Sequence, residues 1–179
     1  MRVPPRTMAA LITPFDEHGS IEEAAHRHNL SQLTAWGLSG FLIGGSTGQG
    51  PYLEPGERGV LTATARDELG SSAFLLTGVS AQSVRQAAGQ IAEAADGGAD
   101  AVLVTTPTLL LRKNAELVES FYGLVADLSP LPLFCYSVPA VTGYELPIES
   151  AAAICAHPNI VGIKDSGGDP DRIGPILRR

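Results

Sequence analysis

The 179-residue chain has only two cysteines, one tryptophan and 6% aromatic residues, and no apolar run approaches the roughly 18 residues that a membrane-spanning helix needs. Two thiols cannot build a disulfide framework; burial preference places Cys135 and Cys155 in the core of a protein kept reduced. The amino-terminal stretch MRVPPRTMAALITPF carries neither a long apolar h-region nor an amphipathic presequence, so a cytoplasmic location is expected. Basic residues are in deficit as well, 12 Lys and Arg against 19 Asp and Glu, for a formal charge of −7. That balance argues against nucleic acid and anionic membranes as partners and toward a small molecule. Linkers and low-complexity tracts are also missing, and a single domain over residues 1–179 is expected.

What the chain has is alternation. Short runs rich in Val, Ile, Leu and Phe at 8–13, 40–45, 73–78, 100–105, 131–136 and 160–164 read as strands. Segments of helical period fall near 20–36, 56–70, 81–96, 114–128, 147–156 and 169–178. In the third, Val84, Ala87, Ala88, Ile91 and Ala95 form one apolar stripe, with Ser80 or Ser83 available as a cap. Six βα units with crossovers of about 30 residues suit a parallel sheet.

No G-x-G-x-x-G follows the first strand, and unusual polar residues follow strands two, four, five and six. This is the arrangement of a (β/α)8 barrel, whose site rings the carboxyl ends of its strands. The fold expected is therefore α/β, of the TIM-barrel class, incomplete at about six of eight units.

Three of those strand ends would share one mouth: GGSTGQGPYLEPGER after strand two, FCYSVPAVTG at strand five and VGIKDSGGD at strand six. Taken singly, Lys164 is a solvated lysine at a strand end, Tyr136 a tyrosine with one satisfied hydroxyl, and Ser46 and Thr47 turn residues among glycines. Together they read differently. Adjacent strands lie about 4.8 Å apart, so Tyr136 and Lys164 would share a pocket. A lysine amine there can attack a ketone to form a Schiff base, whose iminium is an electron sink. Tyr136 could relay protons beside it, and hydroxyls and N–H groups of the loop could cradle a carboxylate. Behind Lys164, Gly167 and Gly168 allow a sharp turn, and Asp169 can cap the next helix.

TPF at 13–15, GSTGQ at 45–49, LEPGER at 53–58, YSVPAVTG at 136–143 and HPNIVGIKDSGGD at 157–169 occur in order over nearly the whole chain. In these the chain resembles the dihydrodipicolinate synthase and N-acetylneuraminate lyase family. Within it, VADLSPLPLFCYSVPAVTGYELP followed by HPNIVGIKDSGGD most resembles the 4-hydroxy-2-oxoglutarate aldolases. The resemblance implies a class I aldolase that releases pyruvate and glyoxylate, or another aldehyde, from a 2-keto acid. Lys164 would form the Schiff base and Tyr136 act as general acid and base. Ser46 and Thr47, with Gly45, would hold the substrate carboxylate, and Ser46 and Thr47 would pass the proton on. It also implies a homo-oligomer and no metal or organic cofactor.

Two positions depart from the family pattern. Leu109 and Leu110 stand where many members place a tyrosine pair that completes a proton relay, and leucine relays no proton. Val141 stands where the synthases have an arginine for the second substrate's carboxylate, which argues against lysine biosynthesis. The alternatives are accordingly a dihydrodipicolinate synthase-like lyase and a truncated, catalytically impaired aldolase-like binding or interaction protein. A third class, a serine hydrolase built on the G-x-S-x-G at 44–48 with His157 as base, is disfavoured, because Gly50, Pro51 and Pro55 delay the helix that a nucleophile elbow needs at once.

Overall fold

A computed structural model describes residues 2–109 and 113–177. Six parallel strands lie side by side in chain order: β1 (Ala9–Ala10), β2 (Gly40–Ile43), β3 (Phe74–Val79), β4 (Ala101–Thr105), β5 (Leu133–Ser137) and β6 (Ile160–Asp165). Helices α1 (Glu23–Ala35), α2 (Glu57–Leu69), α3 (Val84–Asp96) and α4 (Ala115–Leu128) carry the chain from one strand to the next. A short α5 (Pro139–Thr142) and then α6 (Ile148–Cys155) connect β5 to β6, and α7 (Ile173–Leu177) follows β6. Successive strands and consistent crossovers make this six units of a TIM-type barrel, as expected.

Period-two alternation splits the strand side chains between two faces. One face packs beneath the helices: Phe41, Ile43 and Leu75 against Leu30, Leu61 and Ala65, and Val102, Val104, Leu133 and Cys135 against Ile91, Phe121, Tyr122 and Ile154. The other face carries Leu42, Phe74, Leu76, Leu103, Phe134 and Tyr136, the interior of the barrel arc. A fully buried side chain of this size contributes about 1.5–3 kcal/mol of apolar transfer, so the outer layer supplies most of the cohesion.

Several boundaries differ from expectation, each for a local reason. β1 is two residues long rather than 8–13: Leu11 N still donates to Leu42 O at 3.0 Å, but Thr13 turns away to bond Gly48 O. α1 begins at Glu23 and not at 20, because Asp16 Oδ1 accepts the N–H groups of His18 and Ser20 and holds a turn there. α3 is capped by Ser83, whose side chain accepts from Gln86 N; its buried stripe is Ala87, Ile91 and Ala94, while Ala88 and Ala95 are half-buried. The last helical segment splits into a 3-10 turn, Pro170–Arg172, and α7. Arg178, the end of that expected helix, lies outside the described residues. Cys135 is buried in the core, but Cys155, at the end of α6, is half-buried, and both thiols are free.

Candidate active site

The site begins with an irregularity in the β5–β6 ladder. Leu133 pairs with Ile160, but Phe134 pairs with Gly162, so β6 gains one residue between them. Because a one-residue slip exchanges the faces of a strand, this bulge decides which side chain accompanies Tyr136. With the slip, Tyr136 pairs with Lys164; without it, Ile163 would take that place. Gly162 makes the arrangement possible at the next inward position, since a Cβ there would approach the Phe134 ring within 2.8 Å.

Lys164 Nζ sits 4.3 Å from the centroid of the Tyr136 ring. No carboxylate lies within ion-pair distance of Lys164 among the described residues. The adjacent Asp165 is engaged elsewhere: its Oδ2 meets Arg172 Nε at 3.2 Å and its Oδ1 accepts Gly167 N at 2.7 Å. Arg172, itself buried, also donates to Leu146 O and pairs with Glu145 at 3.5 Å. The carboxylate next in sequence to the amine is thereby neutralised by another partner.

Ser166 Oγ donates to Tyr136 Oη at 3.5 Å. Burial alone pushes the Tyr136 phenol up, but hydrogen bonding with Ser166, the charge of Lys164 and hydrogen bonding with Ser46 outweigh it and hold the phenol below its ordinary value. Beneath it, Thr106 Oγ1 contacts Tyr136 O at 3.3 Å and Tyr122 Oη at 3.2 Å, a network closed by Tyr122 Oη donating to Val104 O at 2.9 Å. These bonds fix the strand end that carries the phenol.

Ser46 and Thr47 occupy the exposed tip of loop 44–50, after β2. Ser46 lies near enough to the Tyr136 phenol to help lower its pKa; no hydrogen bond joins Thr47 to Tyr136 or Lys164 among the described residues. Gly45 is buried below the tip, and its carbonyl accepts Gly50 N at 3.0 Å. Beside Ser46 opens a cavity of about 310 Å³ lined by Tyr52, Ser80, Gln82, Thr105, Thr106, Thr108 and Val141. Gln82 Oε1 accepts the N–H groups of Thr108 and Leu109 at 3.0 and 3.1 Å, and so secures the loop after β4. Leu109 is 70% exposed; Leu110 lies outside the described residues.

The hydrolase geometry is absent. His157 precedes β6 and bonds Asp127 at 3.0 Å, whereas Ser46 follows β2, which in a parallel sheet places them at opposite ends. After Gly48 the chain enters a 3-10 turn, Gly50–Tyr52, and α2 starts only at Glu57. Asp169 behaves as expected, capping the turn after β6 by accepting Asp171 N at 2.9 Å. Ser166 and Arg172 had no role in the sequence reading; for Ser166 the available signal was its place two residues beyond Lys164, on the same side of the strand end.

Residues 4–179 match the model of the dihydrodipicolinate synthetase family. The chain belongs to that family. It is 31% identical over 173 residues to the 4-hydroxy-tetrahydrodipicolinate synthase of Methanothermobacter thermautotrophicus, an alignment that takes in 97% of this chain and 61% of the relative. Against the enzyme of the same name from Xanthomonas campestris pv. campestris it is 34% identical over 170 residues, 95% of this chain and 56% of the other. The chain thus spans little more than half the length of these curated relatives. Among solved structures, dihydrodipicolinate synthase from Aquifex aeolicus superposes with a TM-score of 0.89 at 26% identity, covering 97% of this chain and 59% of that one. The chloride-inhibited dihydrodipicolinate synthase from Acinetobacter baumannii, complexed with pyruvate, gives 0.90 at 28%, covering 96% and 59%. All four carry the synthase name, so they support the family and not the narrower likeness to 4-hydroxy-2-oxoglutarate aldolases.

Proposed function

We propose that this chain carries the centre of a Schiff-base-forming pyruvate lyase, with Lys164 as the amine nucleophile and Tyr136 as its proton carrier. The observation that carries the reading is the register pair Tyr136–Lys164, with an amine 4.3 Å from the ring and no carboxylate held against it. In the first step the free amine attacks the keto carbon of pyruvate, and loss of water leaves an iminium. Tyr136 takes a proton from the methyl carbon, and the resulting enamine is the nucleophile toward an aldehyde; cleavage is the same sequence reversed. Ser46, near the phenol, passes the proton on, and Thr47 and Gly45 complete the cradle for the keto acid's carboxylate. These steps need no metal or organic cofactor.

For the second carbonyl partner, the synthase names of the relatives favour condensation of pyruvate with an aldehyde, the synthase-like alternative. A single observation favours 4-hydroxy-2-oxoglutarate cleavage instead: Val141, 62% exposed at the cavity, offers no cation where the synthase motif has arginine.

Borohydride reduction with pyruvate, followed by peptide mapping, tests the common core of both readings. A pyruvate-sized adduct on Lys164, absent from Lys164→Ala, is the expected result. A folded protein that gives no adduct would leave a binding or interaction protein in place of an enzyme.

A further inference from the structure

Ser46 and Thr47 are exposed at the loop tip, and in the proposed reading the position of that tip determines whether a keto acid is held. Two buried side chains grip it from below. Thr13 Oγ1 donates to Gly48 O at 2.6 Å, and Arg58, only 2% exposed, donates through Nη2 to Gly50 O at 3.1 Å and through Nη1 to Gly78 O at the end of β3. The backbone is packed tightly around that guanidinium. A Cβ at Gly44 would stand 3.0 Å from Arg58 Nη1, and one at Gly50 or Gly78 would collide with the Gly44 carbonyl oxygen.

Arg58 is an expensive choice for a filler. It has no carboxylate within ion-pair distance among the described residues, and its Nε has no partner. Burying a charge without a counter-ion opposes folding, and an apolar side chain of similar length would fill the volume without that penalty. What an apolar side chain cannot do is hold two carbonyls from different elements at once, as the planar fork of a guanidinium does. The held carbonyls matter electrostatically: an oxygen turned toward the mouth would repel a substrate carboxylate, whereas one drawn inward leaves the hydroxyls of the tip facing it.

We infer that Thr13 and Arg58 are positioning residues, a two-point clamp that draws the Gly48 and Gly50 carbonyls inward and sets the 44–50 loop to receive the carboxylate of a keto acid. This rests on the Schiff-base reading above. The clamp acts on carboxylate recognition and leaves the amine of Lys164 untouched.

The test compares pyruvate with acetone, a ketone without a carboxylate, in borohydride trapping on the 179-residue chain. Thr13→Val keeps shape and removes one hydrogen bond; Arg58→Met keeps length and removes the fork. Circular dichroism and a thermal melt establish that each variant folds. In a folded variant, the pyruvate concentration for half-maximal labelling of Lys164 is expected to rise at least about tenfold, the size of one lost hydrogen bond to a charged group, while acetone labelling is unchanged. Unchanged pyruvate labelling, or an equal loss with both ketones, overturns the clamp. Should Arg58→Met fail to fold, Thr13→Val decides alone. Wild-type chain labelled by neither ketone removes the underlying Schiff-base reading, and the clamp with it, an outcome distinct from a variant-specific failure.

Discussion

At the residue scale the proposed chemistry turns on one phenol. Tyr136 is held by Thr106 at its carbonyl, by Ser166 at its hydroxyl and by Lys164 over its ring; Ser166, Lys164 and Ser46 lower its pKa against the effect of burial. A phenol that ionises more readily is a better proton acceptor near neutral pH. Tyr136→Phe keeps the ring under Lys164 and removes only the hydroxyl. Turnover with pyruvate and an aldehyde is expected to fall by roughly 10²–10⁴, the usual contribution of a general acid or base, while borohydride still labels Lys164 at high pyruvate. Loss of label together with turnover would mean that the hydroxyl serves the fold or the amine and not proton transfer. The meeting of Tyr136 and Lys164 at one mouth was legible in the sequence because strand ends of successive βα units face it. Arg58 and Thr13 were not: nothing in ER or TPF distinguishes a side chain that turns beneath a glycine loop from one that meets solvent.

At the scale of elements, the strands were read correctly in order and, apart from the much shorter β1, in position from their apolar runs, and the long helices within a few residues. The bulge between β5 and β6 was invisible, because a one-residue slip leaves the apolar pattern of VGIKD unchanged while exchanging its faces. The pairing of α1 with α2 carries a second hidden feature. His26 on α1 is buried, with Nε2 3.2 Å from Leu61 O on α2 and Nδ1 without a partner among the described residues. Burial lowers its pKa, and nearby Arg27 adds to this, against opposing effects of Leu61 O and Glu23. A second proton would be placed on Nδ1, where no acceptor waits. The sign follows: the unfolded chain takes up that proton first as pH falls, so the stability is present above the ordinary value of 6.5 and is lost progressively below it. Thermal melts between about pH 8 and about pH 5.5 should show the midpoint falling with pH in the wild type and a flatter profile in His26→Gln, which can keep the bond to Leu61 O. Parallel profiles would assign the dependence to other groups. Asp100 is not among these, because burial raises its pKa but bonds from Leu75 N, Arg66 and Arg2 lower it further, so its contribution disappears only below about pH 4.

At the scale of the molecule, the arc leaves β1 and β6 as its two outer strands, unpaired with each other among the described residues. Beside β1 lies a largely apolar groove of about 450 Å³, formed by Ala9–Ile12 with Asn29, Gln32, Leu33 and Trp36 along and just past α1. Trp36 is 75% exposed there and Ile12 is exposed beside it. A contiguous, largely apolar surface is a feature that draws protein chains together. The chain is therefore expected to self-associate through this groove. Trp36 is the chain's one tryptophan, so its fluorescence reports the groove directly. As concentration rises, emission should shift to the blue and acrylamide quenching weaken in step with the larger species seen by sedimentation velocity. Trp36→Lys places a charge in the groove and should favour the monomer, and sedimentation reads that variant without the fluorophore. Association that proceeds with Trp36 still fully quenched would move the contact away from the groove and overturn this assignment.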